Sequence, residues 1–413
     1  MQDVYITGAG MTALGRHEAR SIKDLTAEAV HASLADGGLA LGDVEACWFS
    51  NTRQGVLEGQ HGIRGQVALR AMGVEGVPIV NCDNACASSS TGVNQAFAAI
   101  RSGECDVALV VGAEKMHYPA QRELMFEAFR GSMDRELAGE QLARQLALSA
   151  ALPLPEGVVD GGERSVFMDS YAAMARHYMH LYGATQRQMA AVAAKNHWHS
   201  QFNPLAQYRH PMTVDEVLAD RPVAWPFTRA MCAPMSDGAG ALVLCSSRAL
   251  ARLGAGARAV RIRASKLASG VRRAPDDFGQ HIGRIAARRA FEAAGVDPQD
   301  IHVAEVHDAT AFAEIRHVEN LGLCALGEGA ALAERGETRL GGRIPVNPSG
   351  GLVSKGHPIA ATGVIQLHEL VTQLRGEAGA RQVQGARLAA AENGGGFYDG
   401  EEAVAAVTIL EKA

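Results

Sequence analysis

Residues Pro78 to Glu114 read PIVNCDNACASSSTGVNQAFAAIRSGECDVALVVGAE. Pro78-Ile79-Val80 is a short apolar, β-branched run that suits a strand. From Ser88 to Ile100 the apolar residues Val93, Phe97 and Ile100 recur at helical spacing. Cys86 therefore falls where a strand turns sharply into a helix. Free N–H groups and the helix dipole at such a turn favour a thiolate and can hold a developing oxyanion. The serines that follow suit a capped, closely packed helix start. A cysteine taken at random is more often a buried structural residue. The run Asn-Ala-Cys-Ala-Ser-Ser at this turn points instead to a nucleophile with a depressed pKa.

Outward from this stretch, the 413 residues leave room for two or three domains with their own cores. A formal net charge of −6 supplies no basic field for nucleic acid. No run of about 18 apolar residues predicts a membrane span, and the opening MQDVYITGAGM lacks the pattern of a secretory signal. The seven cysteines form no CxxC pair, which argues for a reduced, cytoplasmic setting without a metal site or disulfide frame. Asp3–Thr7 reads as a strand leading into Gly8-Ala9-Gly10. The third glycine of a dinucleotide loop is missing, so no nicotinamide site is expected.

The chain also repeats itself. AVHASLADGGLALGDVEACWFSN, from Ala29, aligns without gaps on AARRAFEAAGVDPQDIHVAEVHD, from Ala286, and Ser90-Thr91-Gly92-Val93 later finds a counterpart in Ala361-Thr362-Gly363-Val364. Two matches in the same order predict a duplicated βα unit. Residues 1–255 then form one half and 256–413 the other, with a linker at Ala255–Ala259. Residues 118–225, rich in Met, Arg, Gln and His, read as an insertion over the first half, with helices at Ser170–Tyr182 and Gln186–Ser200. Its His177/His180 and His197/His199 pairs lack further ligands and read as packing or solvated residues. Arg122, Arg130, Arg135 and Arg144 suit either phosphate contacts or an exposed helix face.

Two histidines of the second half sit in chemistry-like surroundings. His307-Asp308 follows the apolar strand Ile301–Val306 and occupies the repeat position of Ser50-Asn51. His357 ends the glycine-rich Gly350–Gly356 loop, just before the helix that matches the one after Cys86. Pseudo-symmetry puts His357 near Cys86, the minimum pair for an activated thiolate. Glu392-Asn393-Gly394-Gly395-Gly396 offers glycine backbone that can approach a substrate.

The set Asn-Ala-Cys-Ala-Ser-Ser, Gly-His-Pro-x-Ala-Ala-Thr-Gly at 356–363 and Asn-Gly-Gly-Gly at 393–396 resembles the thiolase superfamily. His307-Asp308 is similar to its sterol-carrier-protein type, acetyl-CoA acetyltransferase-like branch. The resemblance spans essentially the whole chain. It implies an α/β thiolase fold of five layers, α-β-α-β-α, with two similar halves and a loop domain, in a homodimer or a dimer of dimers. It implies acyl transfer or β-ketothiolase chemistry on coenzyme A thioesters in lipid metabolism, with acyl-CoA as substrate and no permanently bound cofactor. Carried over by position, Cys86 looks like the acylated nucleophile, His357 its base and His307 the donor to the enolate oxygen. The N–H groups of Cys86 and Gly395 look like an oxyanion hole, and Ser269-Gly270 like lining of the pantetheine channel.

Thiolases usually add a second cysteine as acid/base. Here its positions look like Asn393 (or Glu392, one residue earlier) and Ala309. Glu392, His307 or water must then substitute, with Asn393 a candidate catalytic position; otherwise the protein runs another acyl transfer or C–C cleavage. A small zinc-ribbon/OB-fold partner subunit is a further expectation, and a non-catalytic acyl-CoA-binding protein the competing one. A ketosynthase would need two histidine motifs that are not matched.

Overall fold

The computed structural model describes residues 2–158, 162, 164–254 and 256–413. Residue 255, the first of the expected linker and the boundary between the halves, lies outside the described residues. Nine strands form one mixed sheet: β1 Val4–Met11, β2 Ala46–Ser50, β3 Ile79–Cys82, β4 Val107–Glu114, β5 Gly238–Ser246, β6 Val260–Ala268, β7 Val303–Glu305, β8 Leu388–Gly395 and β9 Val404–Lys412. Their order is β3-β2-β4-β5-β1-β6-β9-β8-β7. The two halves are joined by a short seam, in which Val4, Tyr5 and Ile6 of β1 pair antiparallel with Ile262, Arg261 and Val260 of β6.

Strand alternation sends successive side chains to opposite faces, and that builds five layers. Cys47, Phe49, Leu109, Val111, Ala241 and Val243 pack outward against Leu25, Val30 and Leu34 of helix α1, Ile22–Gly37. Their neighbours Trp48, Ala108, Val110, Leu242 and Leu244 face inward onto helix α2, Ser88–Ser102. In the other half, Ala390, Val407 and Ile409 back onto helix α3, Ile282–Ala294. Val303, Ala389, Ala391 and Leu410 face the centre and helix α4, Thr362–Arg375. Helices α2 and α4 thus form one central layer between two sheet halves, as expected.

The repeat is visible in backbone detail. Gly38 after α1 and Gly295 after α3 both end their helices in the left-handed region, at φ 65° and 63°. Gly103 and Gly376 do so after α2 and α4. Asp43 and Asp300 accept from the N–H three residues back in matching turns. Within the insertion, helices α5 (Val166–Tyr182) and α6 (Gln186–Ser200) lie where the periodicity places them, α5 starting four residues early.

Two local readings change. Gly8-Ala9-Gly10 is not a turn but the interior of β1. A Cβ on Gly8 would lie 2.0 Å from the Ser33 carbonyl oxygen of α1, so these glycines serve close helix–strand packing. Likewise Asn393 to Gly395 is not a loop but the end of β8, paired with Val404 to Ala406 of β9.

Candidate active site

The turn between β3 and α2 is held from several sides. Ala85 takes φ 50°, unusual for a residue with a Cβ, and lifts Cys86 out of line with the strand. The Ser88 hydroxyl donates to the Ala85 carbonyl at 2.6 Å and accepts from the Asn84 N–H at 2.8 Å. The first serine therefore ties the turn together; the helix N-cap, Ala87, has no side-chain cap. Gly395 is required beneath it, since a Cβ there would meet the Asn84 carbonyl oxygen at 2.2 Å and the Ala87 nitrogen at 2.7 Å.

His357 arrives from the opposite half. Its loop closes through a single π-helical turn, Gly351–Lys355. Asp308, buried, accepts from the Leu352 N–H at 2.6 Å and from Asn196 Nδ2 at 2.9 Å, so the His-Asp pair clamps the loop that carries the second histidine. Beneath it lies a buried Lys355–Glu305 ion pair at 3.2 Å. The His357 N–H donates to Ser236 Oγ at 2.8 Å, and Nδ1 lies 2.8 Å from Thr362 Oγ1. With the threonine hydroxyl turned to the Pro358 carbonyl at 3.4 Å, Nδ1 is the nitrogen suited to carry the proton. That leaves the Nε2 lone pair free to take one from a thiol.

The ligand-type atoms of Cys86, His307 and His357 all lie within 4.8 Å of one another. The His307 and His357 rings meet edge to face at 5.3 Å. Both ring nitrogens of His307 are buried without a hydrogen-bond partner. A thiol and two imidazoles are also zinc's preferred donors, and theirs is the one such group among the described residues. These three line a cavity of about 240 Å³ with Phe129, Phe167 and Met168 among its apolar walls.

Burial sets the resting protonation. It pushes the Cys86 thiol up to about 12; Arg53 and the N–H groups of Gly396 and Cys86 oppose this, while Glu114 adds to it. Cys86 keeps a partly accessible edge on the cavity, but its sulfur sits deep enough for desolvation to govern its acidity. The depressed pKa expected from the helix dipole is therefore not a property of the free site. Burial, and then its neighbour His317, holds His307 down at about 3, and burial holds His357 well below its ordinary value. Both imidazoles are neutral near pH 7, so His357 is a ready base.

The remaining expectations separate. The backbone N–H aimed at the thiol besides that of Cys86 belongs to Gly396, not Gly395, whose place is under the turn. Asn393 points away from the cavity. Its Nδ2 donates to the Cys86 carbonyl and to Ser90 Oγ, both at 2.9 Å, so it holds the turn and does not contact the reacting atoms. Glu392 accepts from the His307 backbone N–H at 3.3 Å and is fully buried. Ala309 lines the cavity, and Cys324 packs at the edge of the α3 core. Ser269 and Gly270 line a different cavity of about 780 Å³, beyond helix α5, and Ser269 also lines one of about 810 Å³ with Ala85 and Gly396 at the Cys86 turn. His197 and His199 are structural, bonding to the carbonyls of Ala230 and Asn347. Arg130 and Arg135 pair with Glu127, and Arg144 with Asp399, on an exposed face.

Sequence reading missed Gly396, Ser236, Arg53 and Thr362. Thr362 and Gly396 carried a signal, their places in the Gly-His-Pro and Asn-Gly-Gly-Gly motifs. Arg53 donates to the Ala128 carbonyl and Ser132 Oγ while facing the thiol, an arrangement only the fold creates.

A family profile described as thiolase, N-terminal domain, matches residues 4–220, and one described as thiolase C-terminal domain-like matches 269–412. An acetyl-CoA acetyltransferase of Methanothermobacter thermautotrophicus is 36% identical over 401 residues, covering 96% of this chain and 97% of its own. Sterol carrier protein 2 of Oryctolagus cuniculus is 34% identical, over 94% of this chain and 69% of its own. The benzoylsuccinyl-CoA thiolase subunit BbsB of Thauera aromatica is 31% identical, over 92% and 91%. A solved structure titled Ltp2-ChsH2(DUF35) aldolase superposes with a TM-score of 0.76 at 23% identity, over 99% of this chain and 97% of its own.

Proposed function

The chain belongs to the thiolase family and is an acyltransferase, and we propose that it acts on coenzyme A thioesters through an acyl group carried on Cys86. One observation carries this reading: the Cys86 thiol converges with the neutral imidazoles of His357 and His307 on an apolar cavity. In the first step His357 Nε2 takes the thiol proton as sulfur attacks the thioester carbonyl. The N–H groups of Cys86 and Gly396 receive the oxyanion, and coenzyme A leaves as its thiol. His307 then faces the carbonyl oxygen of the second thioester, where an unpartnered ring nitrogen stabilises the enolate. Thiolytic cleavage and Claisen-type condensation are two directions of this chemistry.

Neither Ala309 nor the inward-turned Asn393 brings a thiol to the cavity, whose second thiol is Cys232 instead. This supports a companion reading, in which the chain catalyses a non-condensing acyl transfer or C–C cleavage with a small zinc-ribbon/OB-fold subunit. The relative named as a subunit, BbsB, points the same way. A homodimer is supported by β3, which ends the sheet with Val80 39% exposed. The seven unpaired cysteines support a cytoplasmic setting, and no helix among the described residues is long and apolar enough to cross a membrane.

The test is product analysis with free coenzyme A and a panel of β-ketoacyl-CoAs, and in reverse with paired acyl-CoAs. Formation of shorter acyl-CoAs by the wild type, abolished in Cys86→Ser, supports the reading. Turnover that survives Cys86→Ser contradicts it.

A further inference from the structure

Behind His307 lies a line of buried ionisable side chains that acylation of Cys86 does not use. His317, on the helix Ala311–Asn320, is fully buried, and its ring meets the His307 ring edge to face at 6.2 Å. His317 Nδ1 is 3.1 Å from Glu392 Oε2, and Nε2 is 3.6 Å from Glu402 Oε1. Neither ring nitrogen is aligned for a hydrogen bond, so these are close pairs and not locked bonds. Glu402 Oε2 in turn lies 3.5 Å from His281 Nε2, which is also 3.9 Å from Glu401, and Glu401 is bonded to Arg273 at 3.0 Å. Glu402, Glu401, Arg273 and Arg316 line the cavity of about 780 Å³ beyond α5. The line therefore runs from the reacting atoms at one cavity to the wall of another.

A core does not ordinarily keep two carboxyls and two imidazoles together with so few bonds. Burying such groups unpaired costs about 1–3 kcal/mol each. Glu392 Oε1, Glu402 Oε2 and both nitrogens of His307 and His317 are all buried without an aligned partner. The array also includes Glu392, one of the positions at which a second cysteine is expected.

We propose that Glu392, His317 and Glu402 are a buried proton path that serves His307 as the α-carbon acid/base. This rests on the acyl-Cys86 reading and names what completes it. His307 touches the substrate; the other three act through it and are positioning residues. In the step, the substrate-facing His307 nitrogen takes the α-hydrogen of the second thioester as a proton, and the N–H so formed is the donor that holds the enolate oxygen. The C–H electron pair becomes the enolate, and an N–H bond forms. The other ring nitrogen releases a proton to Glu392, which holds the His307 backbone N–H through Oε2 and keeps Oε1 unpartnered; Glu392 gives one to His317 Nδ1, and His317 gives its Nε2 proton to ionised Glu402. Each intermediate group gives one proton as it takes one, so only Glu402 changes charge, at the cavity end. Burial raises the proton affinity of Glu392, which suits a carrier that gives one proton as it takes another, and of Glu402, which suits the ionised group that finally takes one up.

The experiment compares two half-reactions in wild type, Glu392→Gln and Glu402→Gln: the acyl adduct on Cys86, by intact mass, and incorporation of deuterium at the α-carbon of acetyl-CoA and propanoyl-CoA in D2O. The expected result is adduct formation within about twofold of wild type. Exchange falls by about 100-fold or more, the low end of general acid–base contributions, with partial recovery in Glu402→Asp. Because Glu402 reaches the cavity wall, Glu402→Gln keeps the test alive if Glu392→Gln fails to fold. Exchange that falls no further than acylation, or a wild type that is acylated but exchanges nothing, overturns the proposal. A wild type that forms no adduct instead overturns the acyl-Cys86 reading, and this proposal with it.

Discussion

At Cys86, two effects of opposite sign compete, and burial wins. The helix start and Arg53 favour the thiolate, yet desolvation leaves the thiol near 12. Reactivity must therefore come from proton transfer to His357 as the substrate arrives, not from a standing thiolate. The sign follows directly: a raised thiol pKa means alkylation of Cys86 by iodoacetamide keeps rising with pH from 7 through 10. A plateau by pH 8 would contradict this. Thr362 orients the imidazole, and Thr362→Val removes the partner of Nδ1. One such bond is worth about 1 kcal/mol, so single-turnover acylation is expected to slow about five- to tenfold with little change in the melting temperature. Cys86, His357 and His307 were legible in the sequence because each sits in a motif whose chemistry demands that residue type. Gly396 and Arg53 were not, because a run of three glycines does not say which N–H turns toward sulfur, and the arginine is placed by tertiary packing alone.

Among the elements, the two helix starts cross closely. A Cβ on Gly363 at the head of α4 would lie 2.0 Å from Ser90 Oγ and 2.6 Å from the Ser90 nitrogen at the head of α2. Overpacking of a filled core typically costs about 1–3 kcal/mol, and here backbone must move, so Gly363→Ala is expected at the upper end. Thermal denaturation measures it; an unchanged melting temperature would contradict the crossing. Helix periodicity and matched glycine caps made the repeat readable. The end of β8 was misread because glycines signal turns, and nothing local reveals that β9 pairs with them.

For the whole molecule, the layers give the two halves one shared core. The seam between β1 and β6 pairs only three residues on each strand, whereas Val364, Leu367, Leu370 and Leu374 of α4 are buried in a core shared with Val93, Phe97 and Ile100 of α2. At about 1.5–3 kcal/mol for each large side chain, that shared core outweighs the seam. The catalytic pair is split the same way, Cys86 before α2 and His357 before α4. The duplication told the sequence reader that the halves would face each other; it could not tell that the sheet runs on between them through so few residues. The central claim is that this convergence makes Cys86 an acyl carrier, and intact-protein mass spectrometry tests it most directly. Mixed with acetyl, branched and aromatic acyl-CoAs, the wild type should gain one acyl mass from at least one donor and Cys86→Ser none. An adduct that persists in Cys86→Ser, or a wild type that binds coenzyme A yet gains no mass from any donor, would contradict the account.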